Sequence, residues 1–472
     1  MNFLPKYYKI LLIALLIAFI VKLCNHGPYL DYTCILFDSN CPTTSSIPID
    51  HDENFSYDPK YQPVIDEFIQ LFTEGQDIGA SLSVFIKGKK VIDIAAGYKD
   101  LEKTNLYKRR SFQMLYSTSK TICAISIAIL VDRGFIKYES KVHDYWPDFK
   151  DGNKENVTVA ELVQHFGGVG YFEDGKQLTY EELQDYESLS KILAAAPHNH
   201  DGEKKMSYHL LSYGHYLNEI VRRVDPKNRT LHYFIQDEIA TPLNIDFKFI
   251  LTDKEFENKF NPIFQYPFFY FLFKFVPKCF FYYPIMEFLG YGTYNLHGIK
   301  EYFDPRTIFN KGIFKGSRIY DKNYMINYVN SIETHQIEFP SFNGKSNSYS
   351  LAKIAGLIAN GGEIDGVRLF KNETINMFNK VLDPEYDEVL HYKIQKTYGG
   401  MTYFTSNNFH GFSGNITCIG GGGLGGSFMA WNRLKNFGFS YVMNGMGDPG
   451  LPLDTRALKL ISSFYNIIEN MK

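Results

Sequence analysis

The sequence predicts an α+β domain: one antiparallel sheet flanked by helices, assembled from both ends of the chain around a largely helical insertion. Three observations predict it. A helix and a hairpin are legible near the front, a hairpin and a helix are legible at the back, and residues 137–347 between them mix short helical patterns with loops.

At the front, Val64, Ile65, Phe68, Leu71 and Phe72 recur at helical spacing and stop at Gly75. Two apolar runs, 82–86 and 91–95, flank Lys87, Gly88, Lys89 and Lys90, which is a hairpin pattern. A long apolar helix is expected from Ser117 through Ile125, Ile129 and Leu130 to a stop at Gly134, and its apolarity marks it as central. In the insertion, 161–165 and 213–224 read as helical. Residues 264–289 crowd Phe and Tyr between Pro267, Pro277 and Pro284, and no apolar run there is long enough to cross a bilayer. We expect a buried aromatic core there; a lid over a substrate channel and a membrane-dipping surface are the alternatives. At the back, an apolar helix over 351–359 is closed by Gly361 and Gly362. Short strands and a hairpin from 428–431 and 439–443 follow, then a last helix with Leu458, Ile461, Phe464, Tyr465 and Ile468 on one face. The expected organisation is a signal peptide or signal anchor over 1–24, a polar linker over 25–60, and one domain over 61–472. Its sheet part spans about 61–136 and 348–472.

A chain of 472 residues, 45% apolar, can bury a substantial core without staples. A net charge of −3 without long runs of one sign excludes the electrostatic footprint of a nucleic-acid binder. Lys6 and Lys9, the apolar run 10–21 and then Lys22 have the layout of a secretory n-region and h-region. Twelve helical residues reach about 18 Å, short of a hydrocarbon core of about 30 Å, so both fates stay open: cleavage, or membrane anchoring through this segment with snorkelling lysines. Sequons at Asn54, Asn156, Asn228, Asn372 and Asn415 agree with a lumenal or extracellular chain. Of six cysteines, Cys34 and Cys41 can close a small loop in an oxidising compartment, whereas Cys123 falls in an apolar helix. No Cys/His spacing suits a metal, and no cofactor is expected; the run His198, Asn199, His200, Asp201 reads as a solvated loop.

Ser117-Thr118-Ser119-Lys120 places a hydroxyl and an amine three residues apart, on one face of a helix. A serine attacks poorly unless a base takes its proton, and burial beside Ile122, Ala124 and Ile125, with neighbouring cations, would depress a lysine toward neutrality. A serine at the start of a helix also has its own N–H free for an oxyanion. The same spacing recurs at Ser188 and Lys191, behind Glu181, Glu182, Asp185 and Glu187, and at Ser350 and Lys353, which opens an apolar helix and is the stronger competitor.

The order of pieces decides between them: hairpin, Ser117-x-x-Lys120, then Tyr208-His209-Leu210-Leu211-Ser212-Tyr213-Gly214, then the glycine run 420–426, a hairpin and a closing helix. Residues 141–147 and 157–165 add segments of the same kind. This order resembles the serine beta-lactamase-related family, above all its class C, penicillin-binding-protein-like and esterase-like branch, over roughly residues 61–470. The resemblance implies a beta-lactamase/transpeptidase-like fold and an acyl-enzyme on Ser117, with Lys120 as its activating base. Tyr208 would be a phenol that relays protons and, set between ammonium groups, loses its own proton easily enough to act as a base. The backbone at Gly423 and Leu424 joins Ser117 as the substrate or oxyanion side. Two positions depart from the family pattern. Leu210 stands where a Tyr-x-Asn motif has its amide, and the Lys-Thr-Gly or His-x-Gly motif falls on Gly421, Gly422 and Gly423, with no Lys, Arg or His between Phe412 and Trp431. With the carboxylate anchor missing, a small-molecule neutral ester or amide is expected rather than an anionic lactam or a D-amino-acid peptide, with a non-catalytic scaffold as the alternative. The absence of a Gly-x-Ser-x-Gly elbow argues against the common α/β hydrolases.

Overall fold

Lys87 and Gly88 both sit at positive φ, 49° and 70°, the turn geometry that lets a right-twisted hairpin close in two residues. A computed structural model of the chain describes residues 26–52, 55–172, 178–266, 328–406, 415–447 and 454–470, with positions 8, 11, 14, 15 and 270. The strands of its main sheet are β1 (Ser56–Tyr57), β2 (Gly79–Ile86), β3 (Lys89–Gly97), β4 (Val381–Tyr386), β5 (Lys393–Thr397), β6 (Thr402–Thr405), β7 (Thr417–Gly422), β8 (Phe428–Asn432) and β9 (Phe437–Met443). They run in the order β1-β3-β2-β9-β8-β7-β6-β5-β4, and every pair of neighbours in that order is antiparallel. The centre of the sheet joins the two chain ends through seven residue pairs from Phe437↔Ile86 to Met443↔Ala80. That join is the predicted α+β architecture.

Each central strand buries both faces, by the period of two that a pleated strand imposes. On β8, Phe428 and Ala430 face one core while Met429 and Trp431 face the other. The first core is covered by α1 (Gln62–Thr73) and α5 (Thr455–Asn470), the predicted front and back helices, which pack side by side on one face of the sheet. The second is covered by α2 (Thr118–Asp132), α3 (Tyr213–Val224) and α4 (Ser348–Ala359). Every residue of α2 from Thr118 to Leu130 is buried, which explains a helix apolar on all sides. Gly134, at φ +77°, follows its C-terminus.

Residues 26–60 are not the expected linker. The Tyr29 hydroxyl donates to the carbonyls of Phe264 and Met446, Gly27 N donates to Glu74 O, and β1 pairs with β3. Polar composition concealed a segment bonded to the domain through Tyr29, Gly27 and β1, while Tyr32, Leu36 and Phe37 stay exposed. Cys34 and Cys41 are disulfide-bonded within it. The described insertion is mostly short helices, but residues Phe247–Lys248, Phe260–Asn261 and Lys345–Ser346 also build a small sheet with Phe112–Met114, directly before the α2 serine. Most of 264–289, and most of the apolar run 10–21, lie outside the described residues. Among the described residues no helix is long and apolar enough to cross a membrane.

Arg456, fully buried on α5, ties the glycine run to the sheet. It donates to Asp77 Oδ1, to the carbonyls of Gln76, Gly445 and Gly425, and to Asp454. Tyr441 donates its hydroxyl to the other Asp77 oxygen at 2.6 Å. Removing one partner of such a pair strands the other charge, so Arg456→Met is expected to lower the urea-unfolding free energy by about 3–5 kcal/mol. A loss under about 1 kcal/mol would mean that the pair holds nothing in place.

Candidate active site

Three elements converge on Ser117. The short strand Phe112–Met114 delivers the chain to Tyr116, a non-glycine residue at φ 49°, and Ser117 follows as the cap of α2. Its hydroxyl makes no capping bond, so Oγ is left for chemistry. The Lys120 amine, one turn on, lies 3.1 Å from Ser117 Oγ and donates to Ser341 O at 2.9 Å. Ser117 is half-buried while Lys120 is 6% exposed, which puts the amine beneath a reachable hydroxyl. Burial, reinforced by the Lys396 charge, lowers the Lys120 amine to about 7. The amine is thus partly neutral at physiological pH.

Tyr208 completes the cluster. The Ser117 side chain hydrogen-bonds its phenol, and Lys120 Nζ lies 4.9 Å from its ring centroid. The expected easily ionised phenol is corrected here: burial, together with the Asp387 carboxylate, pushes the Tyr208 hydroxyl well above its ordinary range, against the opposing bond from Ser117. At neutral pH Tyr208 is a phenol that can pass a proton.

The other two copies of the serine–lysine spacing are committed elsewhere. Ser350 Oγ donates to Asn347 Oδ1 at 2.9 Å and accepts from Asp246 N, while Lys353 is paired with Asp365 at 2.6 Å. Lys191 is exposed beside its half-buried Ser188. Lys353 is as buried as Lys120 but faces the Asp365 carboxylate, and Lys191 lies at the surface.

The glycine run lies against the start of α2. A Cβ on Gly421 would come 2.1 Å from Thr121 Oγ1, and one on Gly423 would come 2.1 Å from Leu115 O and 2.4 Å from Ser427 Oγ. Real Cβ atoms do not approach so closely, so a side chain at Gly421 would need the Thr121 hydroxyl to turn away, and one at Gly423 would meet the backbone itself. Gly423 is not a free donor, because its N–H goes to Ser427 O at 2.8 Å. Thr118 and Ser427 continue this seam: the hydroxyls sit 3.0 Å apart and Thr118 also donates to Ser427 O. Among the described residues, no backbone carbonyl accepts from the N–H groups of Ser117 and Leu424. Leu210, at the position of the missing amide, is packed against the main core.

Sequence reasoning missed Ser341, whose carbonyl receives the Lys120 amine and whose hydroxyl accepts from Gly214 N. It also missed Lys396 on β5, a buried amine lowered to about 8, chiefly by burial. Lys396 stands outside the 412–431 window in which a cation was sought. No local pattern marks either residue, since both reach the site through contacts across long stretches of chain.

Residues 67–259, which contain Ser117, Lys120 and Tyr208, match the family model described as Beta-lactamase. Esterase/beta-lactamase LipL of Mycobacterium tuberculosis is 26% identical over 412 residues, covering 83% of this chain and 83% of that protein. Among solved structures, a family VIII carboxylesterase superposes with TM-score 0.73 at 23% identity, covering 89% of this chain and all of the other. A penicillin-binding-protein homologue from Caulobacter crescentus gives 0.70 at 24%, again covering 89% of this chain and all of the other. The sheet closed by both chain ends, the serine–lysine pair at the head of the buried helix and these likenesses lead to one conclusion: the chain has a beta-lactamase/transpeptidase-like fold and is similar to esterase/beta-lactamase proteins.

Proposed function

We propose that the protein is an esterase-like serine hydrolase that cleaves small neutral esters or amides through an acyl-enzyme on Ser117. The observation that carries this reading is the 3.1 Å approach of a buried, partly neutral Lys120 amine to an uncapped Ser117 hydroxyl. In the first half-reaction Ser117 Oγ attacks the carbonyl carbon while its proton passes to Lys120. The oxyanion falls between the N–H groups of Ser117 and Leu424, and Gly423 acts by allowing the close approach rather than by donating. Collapse breaks the bond to the leaving group, which takes a proton relayed from Lys120 through the Tyr208 phenol. Water then repeats the sequence on the ester of Ser117, and the enzyme is restored with every proton returned. Glycine at 421 leaves no side-chain anchor for a substrate carboxylate at that position, which favours neutral substrates.

The pH profile tests the base. Only the unprotonated amine can accept the serine proton, so kcat/KM on a p-nitrophenyl ester is expected to fall as pH drops through about 7 and to level off above it. A flat profile from roughly pH 6 to 8 would assign the base to another group.

The lysine-flanked apolar run 10–21 and the Cys34–Cys41 disulfide support a place in the secretory pathway, cleaved or anchored. The sequon asparagines Asn156, Asn228, Asn372 and Asn415 are exposed, as glycosylation acceptors must be. Mass spectrometry of the protein from a eukaryotic secretory host, with and without glycosidase, checks this: unmodified asparagines on a chain with a free Cys34 would contradict it.

A further inference from the structure

Tyr208 belongs to neither a helix nor a strand, yet a relay phenol has to be held to within a fraction of an ångström. Its own amide and the next one are each taken by a side chain from a distant part of the fold. Tyr208 N donates to Asp387 Oδ1 at 3.2 Å, and His209 N donates to His165 Nδ1 at 3.2 Å. We propose that Asp387 and His165 are positioning residues that clamp the Tyr208–His209 backbone and so fix the phenol against Ser117 and Lys120. This rests on the reading of Tyr208 as the relay.

Both arms of the clamp are built rather than incidental. Asp387 is fully buried, and the same Oδ1 accepts from Val389 N and Leu390 N at 2.9 Å each, which folds residues 387–390 into a cup around one oxygen. Glu388 N donates to Met206 O, so the cup is bonded to the Tyr208 segment at two points, before the tyrosine and at its amide. Oδ2 has no hydrogen-bond partner among the described residues, a cost that a purely structural turn would have no reason to carry. On the other arm His165 is held at φ 70°, a conformation unusual for histidine, with Ser207 N donating to its carbonyl at 2.9 Å. Its tautomer follows from its partners. Val169 N donates to His209 Nε2 at 3.0 Å, so His209 carries its proton on Nδ1 and gives it to His165 Nδ1 at 3.2 Å. His165 Nδ1 is therefore an acceptor, as the His209 amide requires. Burial holds both rings neutral, His209 down to about 3. The His165 ring packs on the Tyr208 ring at 4.8 Å, and Phe166, Met206 and Ile394 form a small apolar cluster behind the segment.

The test combines hydrogen exchange with kinetics on Asp387→Ala, Asp387→Asn and His165→Asn. Asn at 387 still offers Oδ1 to the three amides, whereas Ala does not. Asn at 165 tolerates the left-handed backbone but is too short to reach the His209 amide. The Tyr208 amide is expected to exchange at least about tenfold faster in Asp387→Ala, the His209 amide likewise in His165→Asn, and both near the wild-type rate in Asp387→Asn. In parallel, kcat should drop about tenfold or more in the first two with KM within about twofold, and Asp387→Asn should recover most of it. Unchanged protection at Tyr208 and His209, or a kcat loss that Asp387→Asn fails to recover, overturns the clamp. If Asp387→Ala does not fold, His165→Asn against Asp387→Asn decides the question by the same readouts. A wild-type protein that neither turns over esters nor labels at Ser117 would defeat the proposed function, while the exchange rates would still decide the clamp.

Discussion

Ser117→Ala is expected to lower kcat on an activated ester by about 10⁴-fold or more while leaving the melting temperature within a few degrees of wild type. The size follows from the chemistry, since without Oγ no acyl-enzyme forms and only the oxyanion donors and binding remain to assist water. The small effect on stability follows from the structure. Ser117 makes no capping bond, and the start of α2 is held by its neighbours: Thr118 by Ser427, and Ser119 through the Gly344 amide. Stopped-flow or steady-state turnover together with a thermal melt separates the two effects. Residual turnover above about a tenth of wild type would exclude Ser117 as nucleophile.

Lys120→Met should cost nearly as much, about 10³-fold or more in kcat, and here stability should rise or hold rather than fall. A buried amine lowered to about 7 resists protonation inside the fold, whereas the same amine in the unfolded chain stays charged up to its ordinary value. At neutral pH the unfolded state therefore gains from protonation what the folded state largely forgoes, and methionine, of similar length, removes that penalty. The Lys120 bonds that vanish, to Ser341 O and Ser117 Oγ, leave one carbonyl short of a donor, which limits the gain. The sign of the stability change is the informative part: a stabilised but inactive variant is the signature of an amine kept for chemistry, and a strongly destabilised one would mean that Lys120 is a structural strut.

What could be read from the chain depended on distance along it. The hairpin around Lys87 and Gly88, helix α2 and the stop at Gly134 were legible because turn chemistry and periodicity are local. The choice of Ser117 over Ser350 needed the order of motifs, and the geometry agrees with it: Lys353 is paired with Asp365, whereas the Lys120 amine faces Ser117 Oγ and Ser341 O. Two readings failed for want of tertiary information. Residues 26–60 looked like a linker because few of their side chains are apolar, yet Tyr29 and β1 are bonded to the domain. Tyr208 was expected among ammonium groups that would ease its ionisation, whereas its burial and Asp387 set the opposite direction. At the glycine run the sequence leaves Gly421 without a cationic side chain and expects the Leu424 N–H as second donor. In space Gly421 lies against Thr121, Gly423 donates its N–H to Ser427 O, and among the described residues no backbone carbonyl takes the Leu424 N–H. Asp387 and Lys396 carry no motif at all; their meaning lies in what folds beside them.

The most direct test of the central claim is to treat the purified protein with a fluorophosphonate probe and map the adduct by peptide mass spectrometry. A single adduct on Ser117, formed faster as pH rises through about 7 and absent from Ser117→Ala, is the predicted result. An adduct on Ser350, or none on any serine of a folded protein, would contradict it.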